Sequence, residues 1–265
     1  MGEYVNLPGV KTWYEVEGSG DPIVLLHGGL VSNELWEPQR AAFGADFQIF
    51  LPERRAHGRT PDVEGPLSLY DMADDTIDFL TTVVAKPAHL VGWSDGGNTA
   101  LLVSIKRPDL VLKQVLVGAN FLPATELEGG EELAEGLNPD NPGLAEFRAS
   151  YEALSPDGAD HWPVFLEKLA EMWRKEPNVT AEEFGRITAP TLVVTGDDDM
   201  MPLEHTIQMY RAISNSELAV VPGSSHALMM EKPQLANQII LDFLKNDPVP
   251  TMMPRRRAPA DAQQH

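Results

Sequence analysis

Ser94 combines a nucleophilic side chain with the local sequence that a catalytic serine needs. It lies in the sequence Gly-Trp-Ser-Asp-Gly-Gly of residues 92–97, after the apolar run 89–93 and before a helical pattern. The spacing Gly-x-Ser-x-Gly between a strand and a helix is typical of a tight turn that holds a hydroxyl above a sheet. Such a turn strains the backbone of the serine, and glycine is needed two residues to either side because a side chain would clash there. We therefore predict that Ser94 is a nucleophile.

A serine hydroxyl needs a base that takes its proton, and two later loops supply candidates for the base and for its partner. His226 follows the apolar run 218–221 and the turn Pro-Gly-Ser-Ser, at a strand end where open α/β sheets build their sites. An acid must orient this histidine. Asp197, Asp198 and Asp199 all follow the apolar run 192–194, and Asp199 is preferred because it lies furthest into the loop.

Backbone N–H groups near the predicted nucleophile could bind a negatively charged oxygen. One is the N–H of Asp95, at the start of the helix. The second belongs to Gly29 or Leu30, in the sequence His-Gly-Gly-Leu of residues 27–30, where small residues let the backbone approach a ligand. Together these donors would form an oxyanion hole. His27 itself is expected to brace this loop by hydrogen bonding.

A substrate pocket should lie beside these strand ends. The side chain of Asp95 could accept an ammonium group of a substrate, although the dipole of the helix also explains a carboxylate at this position. Other candidates are apolar or aromatic residues near strand ends or in the segment 122–185, several of which should belong to the core instead. They are Leu30, Trp36, Trp93, Phe121, Trp162, Met200, Met201, Ala227 and Leu228.

Strands and helices that would position these residues alternate along the chain. Short apolar runs predict buried strands at 23–26, 47–51, 89–93, 115–117, 192–194 and 218–221. Residues 11–17 predict an antiparallel edge strand. Helical spacing is found at 68–85, 95–107 and 232–245, where Ser68 and Asp71 resemble a capping box. This alternation predicts an α/β fold with a mostly parallel, doubly wound sheet.

The segment 122–185 interrupts this alternation. It is rich in glutamate and proline, and helical patterns near 144–154 and 162–175 predict a small helical insertion between two core strands. The core would then comprise residues 1–121 and 186–245. Residues 246–265 contain four prolines and three consecutive arginines, and they predict a flexible tail.

Composition and charge exclude several classes of function. Forty acidic against twenty basic residues give the 265-residue chain a net charge of −20, which disfavours binding to nucleic acid or to anionic membranes. Because the chain has no cysteine, thiolate catalysis is excluded. No apolar run reaches the roughly 18 residues of a membrane span, and the N-terminus lacks the pattern of a signal peptide. We therefore expect a cytoplasmic protein.

Taken together, these motifs resemble the α/β-hydrolase fold family, in particular its capped, esterase-like branch. The matching pieces are residues 27–29, 54–60, 92–97, 196–199 and 222–226, and they run in the family's order. The resemblance implies a sheet of about eight strands, a helical cap at residues 122–185, and neither cofactor nor metal. In this family the acid stands three residues after the strand-end glycine, which selects Asp199. The motif at 92–97 is similar to that of the valacyclovir-cleaving amino-acid ester hydrolases.

These observations predict a serine hydrolase that cleaves a small carboxylic ester or lactone. Ser94 would attack the carbonyl, His226 would carry the proton, and water would release the acyl group. Carbon–carbon bond hydrolysis and cofactor-free perhydrolysis (haloperoxidase activity) are alternatives on the same three residues. A ligand-binding protein on a hydrolase scaffold is a further hypothesis, which the complete set of three residues disfavours. The expected partner is the substrate alone, bound by a monomer or homodimer.

Overall fold

A sheet of eight strands forms the centre of the computed structural model, which describes residues 2–247 and 251–253. The strands are β1 Glu3–Leu7, β2 Val10–Gly18, β3 Asp21–Leu26, β4 Phe47–Pro52, β5 Ala88–Trp93, β6 Val111–Val117, β7 Thr191–Gly196 and β8 Ser216–Val221. Their spatial order is β1-β2-β4-β3-β5-β6-β7-β8. The pairs β1–β2 and β2–β4 are antiparallel and the other pairs are parallel. The predicted doubly wound, mostly parallel sheet is confirmed.

Helices form most of the connections and cover both faces of the sheet. They are α1 Glu37–Gly44, α2 Leu69–Phe79, α3 Asp95–Lys106, α4 Gly130–Glu135, α5 Ala145–Leu154, α6 Trp162–Lys175, α7 Ala181–Phe184, α8 Leu203–Ala212, α9 Leu228–Glu231 and α10 Pro233–Lys245. Helices α1 and α10 contact each other, as do α2 and α3. The helix predicted over 68–85 consists of α2 and a π-helical turn at Leu80–Val84.

The central strands have continuous apolar sequences because helices cover them on both sides. On β3, Ile23 and Leu25 belong to the core layer that contains residues of α1 and α10, whereas Val24 and Leu26 belong to the layer of α2 and α3. Successive side chains of a strand point to opposite faces. An uninterrupted apolar run is therefore the pattern of a strand buried between two layers of helices.

The strand predicted at the edge of the sheet is not the edge. Residues 11–17 lie in β2, but β1 pairs with β2 on its outer side, from Glu3 opposite Tyr14 to Leu7 opposite Val10. In β1 only Leu7 is buried. Because the other residues of β1 are not buried, its sequence has neither the apolar run nor the strict alternation that marks a strand. No strand is therefore predicted at these residues.

Between β6 and β7, the described chain is helical. We call residues 122–185 the helical segment, and it contains α4, α5, α6 and α7, with α5 and α6 at the two predicted helical patterns. The inner face of α6 buries Phe165, Leu166 and Leu169 completely. This burial explains the amphipathic spacing in the sequence.

Hydrogen bonds to carboxylates join the helical segment to the core. Asp62, in the loop after β4, accepts a hydrogen bond from Lys168 Nζ at 2.6 Å. Glu176 accepts from the hydroxyl of Ser68 and from the N–H of Leu69, at the start of α2. Ser68 caps α2 as predicted. Its carboxylate partner, however, is Glu176 of the helical segment, whereas the Asp71 of the predicted capping box pairs with an arginine.

The end of the chain lies mostly outside the described residues. The tail predicted over 246–265 includes residues 248–250 and 254–265, among them the three consecutive arginines, which the structure does not describe. Within residues 2–247 and 251–253, no helix has the length and apolar character needed to cross a membrane.

The tight turn around residue 94 gives a prediction about stability. An alanine Cβ at Gly96 would overlap the backbone carbonyl of Leu26 and lie 2.6 Å from the carbonyl oxygen of His27. We expect Gly96→Ala to lower the free energy of unfolding by about 2–3 kcal/mol, because backbone cannot move aside as a flexible side chain can. Urea unfolding followed by circular dichroism measures the change.

Gly44→Ala is the matched control for this substitution. Gly44 is the last residue of α1. The Cβ of an alanine there would contact only the Cδ1 atom of Ile49, at an ordinary distance of 3.5 Å. The free energy of unfolding should stay within about 1 kcal/mol of the wild-type value, or rise. Equal losses in the two variants would show that the turn does not need its glycine.

Candidate active site

Ser94 occupies a strained turn between β5 and α3. Its φ of +56° lies in the left-handed region that side-chain-bearing residues rarely adopt, so the predicted strain is confirmed. The Ser94 N–H donates to the carbonyl of Val117 on β6 at 2.8 Å, and its carbonyl accepts from the N–H of Asn98. A Cβ on Gly92 would overlap the backbone of Gly96. The surrounding structure therefore enforces the conformation that places the hydroxyl at the strand ends.

His226 and Asp199 form the second part of the site. His226 Nδ1 donates to Asp199 Oδ1 at 2.8 Å, and the Asp199 side chain is only 1% exposed. The Asp199 carboxylate also accepts from the N–H of Met201 at 3.0 Å and from the hydroxyl of Thr195 at 3.1 Å. Because Nδ1 donates to the carboxylate, Nε2 is the ring nitrogen that remains available to a further partner.

Hydrogen bonding keeps the buried Asp199 ionised. Burial by itself would raise the pKa of its carboxyl group. The hydrogen bond and charge of His226, with the donors from Met201 and Thr195, outweigh that effect and hold the pKa below its ordinary value. An ionised Asp199 can orient the imidazole and stabilise the imidazolium.

The other two aspartates of this loop do not contact the histidine ring in this way. Asp197 accepts from the backbone N–H of Ser224 at 3.1 Å and so links the loops after β7 and β8. Asp198 is exposed. The structure therefore places Asp199, and neither neighbour, in hydrogen-bonding contact with His226.

Two residues hold the histidine loop in place. The indole N–H of Trp93 donates to the carbonyl of His226 at 2.9 Å. Gly118, with φ of +55°, lies so close to the imidazole that a Cβ there would be 2.8 Å from His226 Cε1. Gly118 is not among the residues predicted for the site. The signal was a glycine directly after the apolar run 115–117, which any strand-end turn would also show.

The loop at residues 27–30 lies directly against Ser94. A Cβ on Gly28 would be 3.3 Å from Ser94 Cβ, and a Cβ on Gly29 would be 2.7 Å from an Asp95 carboxylate oxygen. Gly29 and Leu30 both line a cavity with Ser94. Either N–H can therefore be proposed as the second oxyanion donor.

His27 braces this loop, as predicted. Its Nδ1 donates to the carbonyl of Gly28 at 2.8 Å, while its Nε2 accepts from the backbone N–H of Arg54 at 3.1 Å. Complete burial, and then the charge of Arg54, lowers the pKa of His27 well below its ordinary value. The ring is therefore neutral, and its one N–H, at Nδ1, donates the hydrogen bond to Gly28.

A large cavity opens at Ser94 and His226. It has a volume of about 500 Å³ and a mainly apolar lining. Leu137 and Phe147 of the helical segment form part of its wall, together with Ala227 beside the histidine. The helical segment thus covers one side of Ser94.

A second, smaller cavity is also lined by Ser94. It has a volume of about 50 Å³ and is lined by Ser94, Asp95, Asn98 and Asn120, among others. The two asparagines hydrogen-bond each other, with Asn98 Nδ2 donating to Asn120 Oδ1 at 2.7 Å. Unlike the large cavity, this one is not lined by His226. The two sides of Ser94 therefore differ in size, in polarity and in access to the proposed base.

Asp95 is buried between the core and the helical segment. Its Oδ2 accepts from the indole N–H of Trp173 at 2.9 Å. Burial raises the pKa of its carboxyl group, and the charge of the buried Arg54 and the bond from Trp173 oppose that rise. Burial likewise lowers the pKa of Arg54 to about 10, with Asp95 opposing, so Arg54 is charged at neutral pH. The hydrogen bond from Trp173 and the charge of Arg54 explain why a carboxylate can be buried at residue 95, with no need for the ammonium group of a ligand.

The predicted substrate contacts fall into two groups. Leu30, Trp93, Met200 and Ala227 line the large cavity, and Met200 and Met201 line the small one. The other four lie elsewhere, and they are Trp36, Phe121, Trp162 and Leu228.

Packing explains where these four residues lie. Trp36 and Leu228 are fully buried in the core layer of α1 and α10. Trp162 is fully buried against Tyr151 and Phe165, and Phe121 stacks on a histidine at a centroid distance of 4.1 Å. An aromatic residue near a strand end has the same sequence signature whether it lines a cavity or fills the core.

The sequence is similar to known proteins over most of its length. The sequence model of the alpha/beta hydrolase family matches residues 23–238. The chain is 27% identical over 253 residues to the serine hydrolase BPHL of Homo sapiens, covering 91% of this chain and 85% of that protein. It is also 27% identical over 248 residues to the (E)-2-((N-methylformamido)methylene)succinate hydrolase of Acinetobacter baylyi, covering 89% and 94% of the two chains.

A solved structure agrees with these sequence comparisons. The bromoperoxidase of Bacillus anthracis superposes with a TM-score of 0.78 and 24% identity, covering 93% of this chain and all of that one. At this identity the match shows a shared fold and carries no argument about the reaction.

The hydrogen bond between His226 and Asp199 leads to a prediction about the rate at which Ser94 reacts with a covalent label. We expect Asp199→Asn to slow labelling of Ser94 by an alkyl fluorophosphonate by at least about 100-fold, because an amide neither fixes the required tautomer nor stabilises the imidazolium. Asp198→Asn, an exposed neighbour, is the control and should label at the wild-type rate. Equal rates in the two variants would contradict the assignment of Asp199, and intact-protein mass spectrometry gives the rates.

Proposed function

Because the chain belongs to the alpha/beta hydrolase family, we propose that it is a serine hydrolase that cleaves small carboxylic esters or lactones. The observation that carries the proposal is the 2.8 Å hydrogen bond between His226 and the buried Asp199, at a cavity that Ser94 and His226 share. A hydroxyl, a base and an ionised partner at one site are the components of acyl transfer through a covalent intermediate.

The proposed reaction has two steps. The Ser94 hydroxyl attacks the ester carbonyl while His226 Nε2 takes its proton, and Asp199 stabilises the imidazolium. The N–H of Asp95 and that of Gly29 or Leu30 bind the oxyanion. His226 then protonates the leaving alcohol, the acyl group stays on Ser94, and water attacks the acyl-enzyme by the same route to release the acid.

The two cavities suggest where each half of the ester binds. The group that protonates the leaving alcohol must reach its oxygen, so the alcohol has to lie on the side of His226. His226 lines only the large apolar cavity, which therefore suits a bulky apolar alcohol. The 50 Å³ cavity beside Asp95 then receives the acyl group, and its volume suits a short chain.

The strain at Ser94 supports catalysis over the alternative of ligand binding without turnover. A left-handed conformation at a residue other than glycine costs on the order of 1–3 kcal/mol, and such strain concentrates at functional sites. Binding alone needs neither this strain nor the contact between Asp199 and His226. Both features serve a nucleophile that has to be presented to a substrate and deprotonated.

Burst kinetics test the proposed reaction. With p-nitrophenyl acetate we expect a burst of p-nitrophenol equal to the enzyme concentration, because formation of the acyl-enzyme releases the alcohol before water attacks. Ser94→Ala should remove the burst and lower kcat by at least about 1000-fold. Ser104→Ala is the control, since this buried serine lies in the same helix and bonds only Gln114.

The outcome of this experiment separates the proposed function from its alternatives. Turnover that survives in Ser94→Ala would contradict it. Labelling of Ser94 by a fluorophosphonate without turnover of any ester would favour carbon–carbon hydrolysis or perhydrolysis on the same residues. Those activities are then assayed with a vinylogous diketone and with peroxide plus halide.

The unequal cavities predict a preference for short acyl chains. For p-nitrophenyl esters, kcat/KM should fall by at least about tenfold from acetate to hexanoate, because the small cavity cannot hold four more methylene groups. Replacing p-nitrophenol by naphthol in the acetate should change kcat/KM by less than about threefold, since that group binds in the 500 Å³ cavity. The opposite pattern would reverse the assignment of the two cavities.

A further inference from the structure

Trp173 lies between the two cavities at Ser94. It belongs to the last turns of α6 and is one of four residues that line both cavities. The others are Ser94 itself, Leu133 and Met200. Met200 is 48% exposed and its side chain has three rotatable bonds. Trp173 is a rigid planar ring, so it is the shared residue best able to form a fixed partition.

Contacts on two sides fix the orientation of this ring. The indole N–H donates to Oδ2 of the buried Asp95 at 2.9 Å. Trp173 Cζ2 lies 3.0 Å from the position that a Cβ on Gly29 would take, so the ring packs against the backbone of the loop at residues 27–30. The indole is thus held between the residue that follows the nucleophile and the proposed oxyanion loop.

We propose that Trp173 is the specificity-determining wall of the acyl cavity and limits the length of the acyl chain that Ser94 accepts. This inference rests on the proposed function. Removing the indole would join the 50 Å³ cavity to the 500 Å³ cavity, which it now helps to separate. A longer chain would then extend past Asp95 into apolar space. Trp173, a residue of the helical segment, thereby selects the acyl chain that reaches Ser94. The sheet, through β5, determines where Ser94 lies.

A purely structural role for Trp173 makes a different prediction. If the ring served only to anchor α6 through its bond to Asp95, then loss of the N–H would be the damaging event. Trp173→Phe and Trp173→Ala, which both lack the N–H, would behave alike. If the ring is a wall, Trp173→Phe keeps most of the barrier and Trp173→Ala removes it.

The experiment compares acyl-chain profiles for one alcohol. For wild type, Trp173→Ala, Trp173→Phe and Phe147→Ala, kcat/KM is measured with p-nitrophenyl acetate, butyrate and hexanoate. Phe147→Ala is the matched control, because it removes an aromatic ring that lines the large cavity alone. The hexanoate-to-acetate ratio should rise at least about tenfold in Trp173→Ala and stay within about threefold of wild type in the other two variants.

Several results would overturn the inference. One is an unchanged ratio in Trp173→Ala, and another is the same ratio in Trp173→Ala and Trp173→Phe. A rise of equal size in Phe147→Ala would show that any enlargement of the site suffices. Thermal unfolding confirms that each variant is folded, and Trp173→Leu, which keeps an apolar side chain on α6, replaces Trp173→Ala if that variant does not fold.

The proposed function and this inference fail in different ways. If wild type releases no alcohol from any of the three esters, the proposed function is contradicted and this inference falls with it. If release occurs and is lost in Ser94→Ala, but the chain-length profile does not depend on Trp173, only this inference is contradicted.

Discussion

The left-handed backbone of Ser94 is the constraint on which the rest of the site depends. A φ of +56° turns the chain from β5 directly into α3, which begins at Asp95, and it leaves the Ser94 hydroxyl at the strand ends. This turn fits only if the flanking residues are glycines, because Gly92 and Gly96 approach neighbouring backbone too closely for a Cβ. The hydrogen bond from the Ser94 N–H to β6 couples the strain to the centre of the sheet, so the buried core maintains the conformation.

Two buried carboxylates beside this turn have opposite pKa shifts because their partners differ. Asp199 accepts hydrogen bonds from His226, Met201 and Thr195, and these outweigh its burial and lower its pKa. Asp95 accepts one bond from Trp173 and feels the charge of an arginine, and these do not offset its deeper burial, so its pKa is raised. The first carboxylate is suited to hold the charge of an imidazolium, whereas the second joins the helical segment to α3.

The central strands of the sheet, and the residues that follow them, could be predicted from the sequence. Strands such as β3 and β5 are buried on both faces, so apolar runs mark them in the sequence, and the residues that follow them form the candidate site. The outer strand β1 buries only Leu7 and gave no such signal. Spacing also could not distinguish Trp36, which fills the core, from Trp173, which lines both cavities, because long-range packing decides which aromatic ring lies near Ser94. Gly118 and Glu176 were missed for the same reason, since their partners are distant in sequence.

Trapping the acyl group directly is the closest test of the central claim, that Ser94 becomes covalently acylated. The protein is mixed with p-nitrophenyl acetate, quenched in acid while alcohol is being released, digested and analysed by peptide mass spectrometry. We predict a single acetyl group, on Ser94, and none in Ser94→Ala. Release of the alcohol with no acetyl group on Ser94, or with the acetyl group on another residue in both proteins, would contradict it.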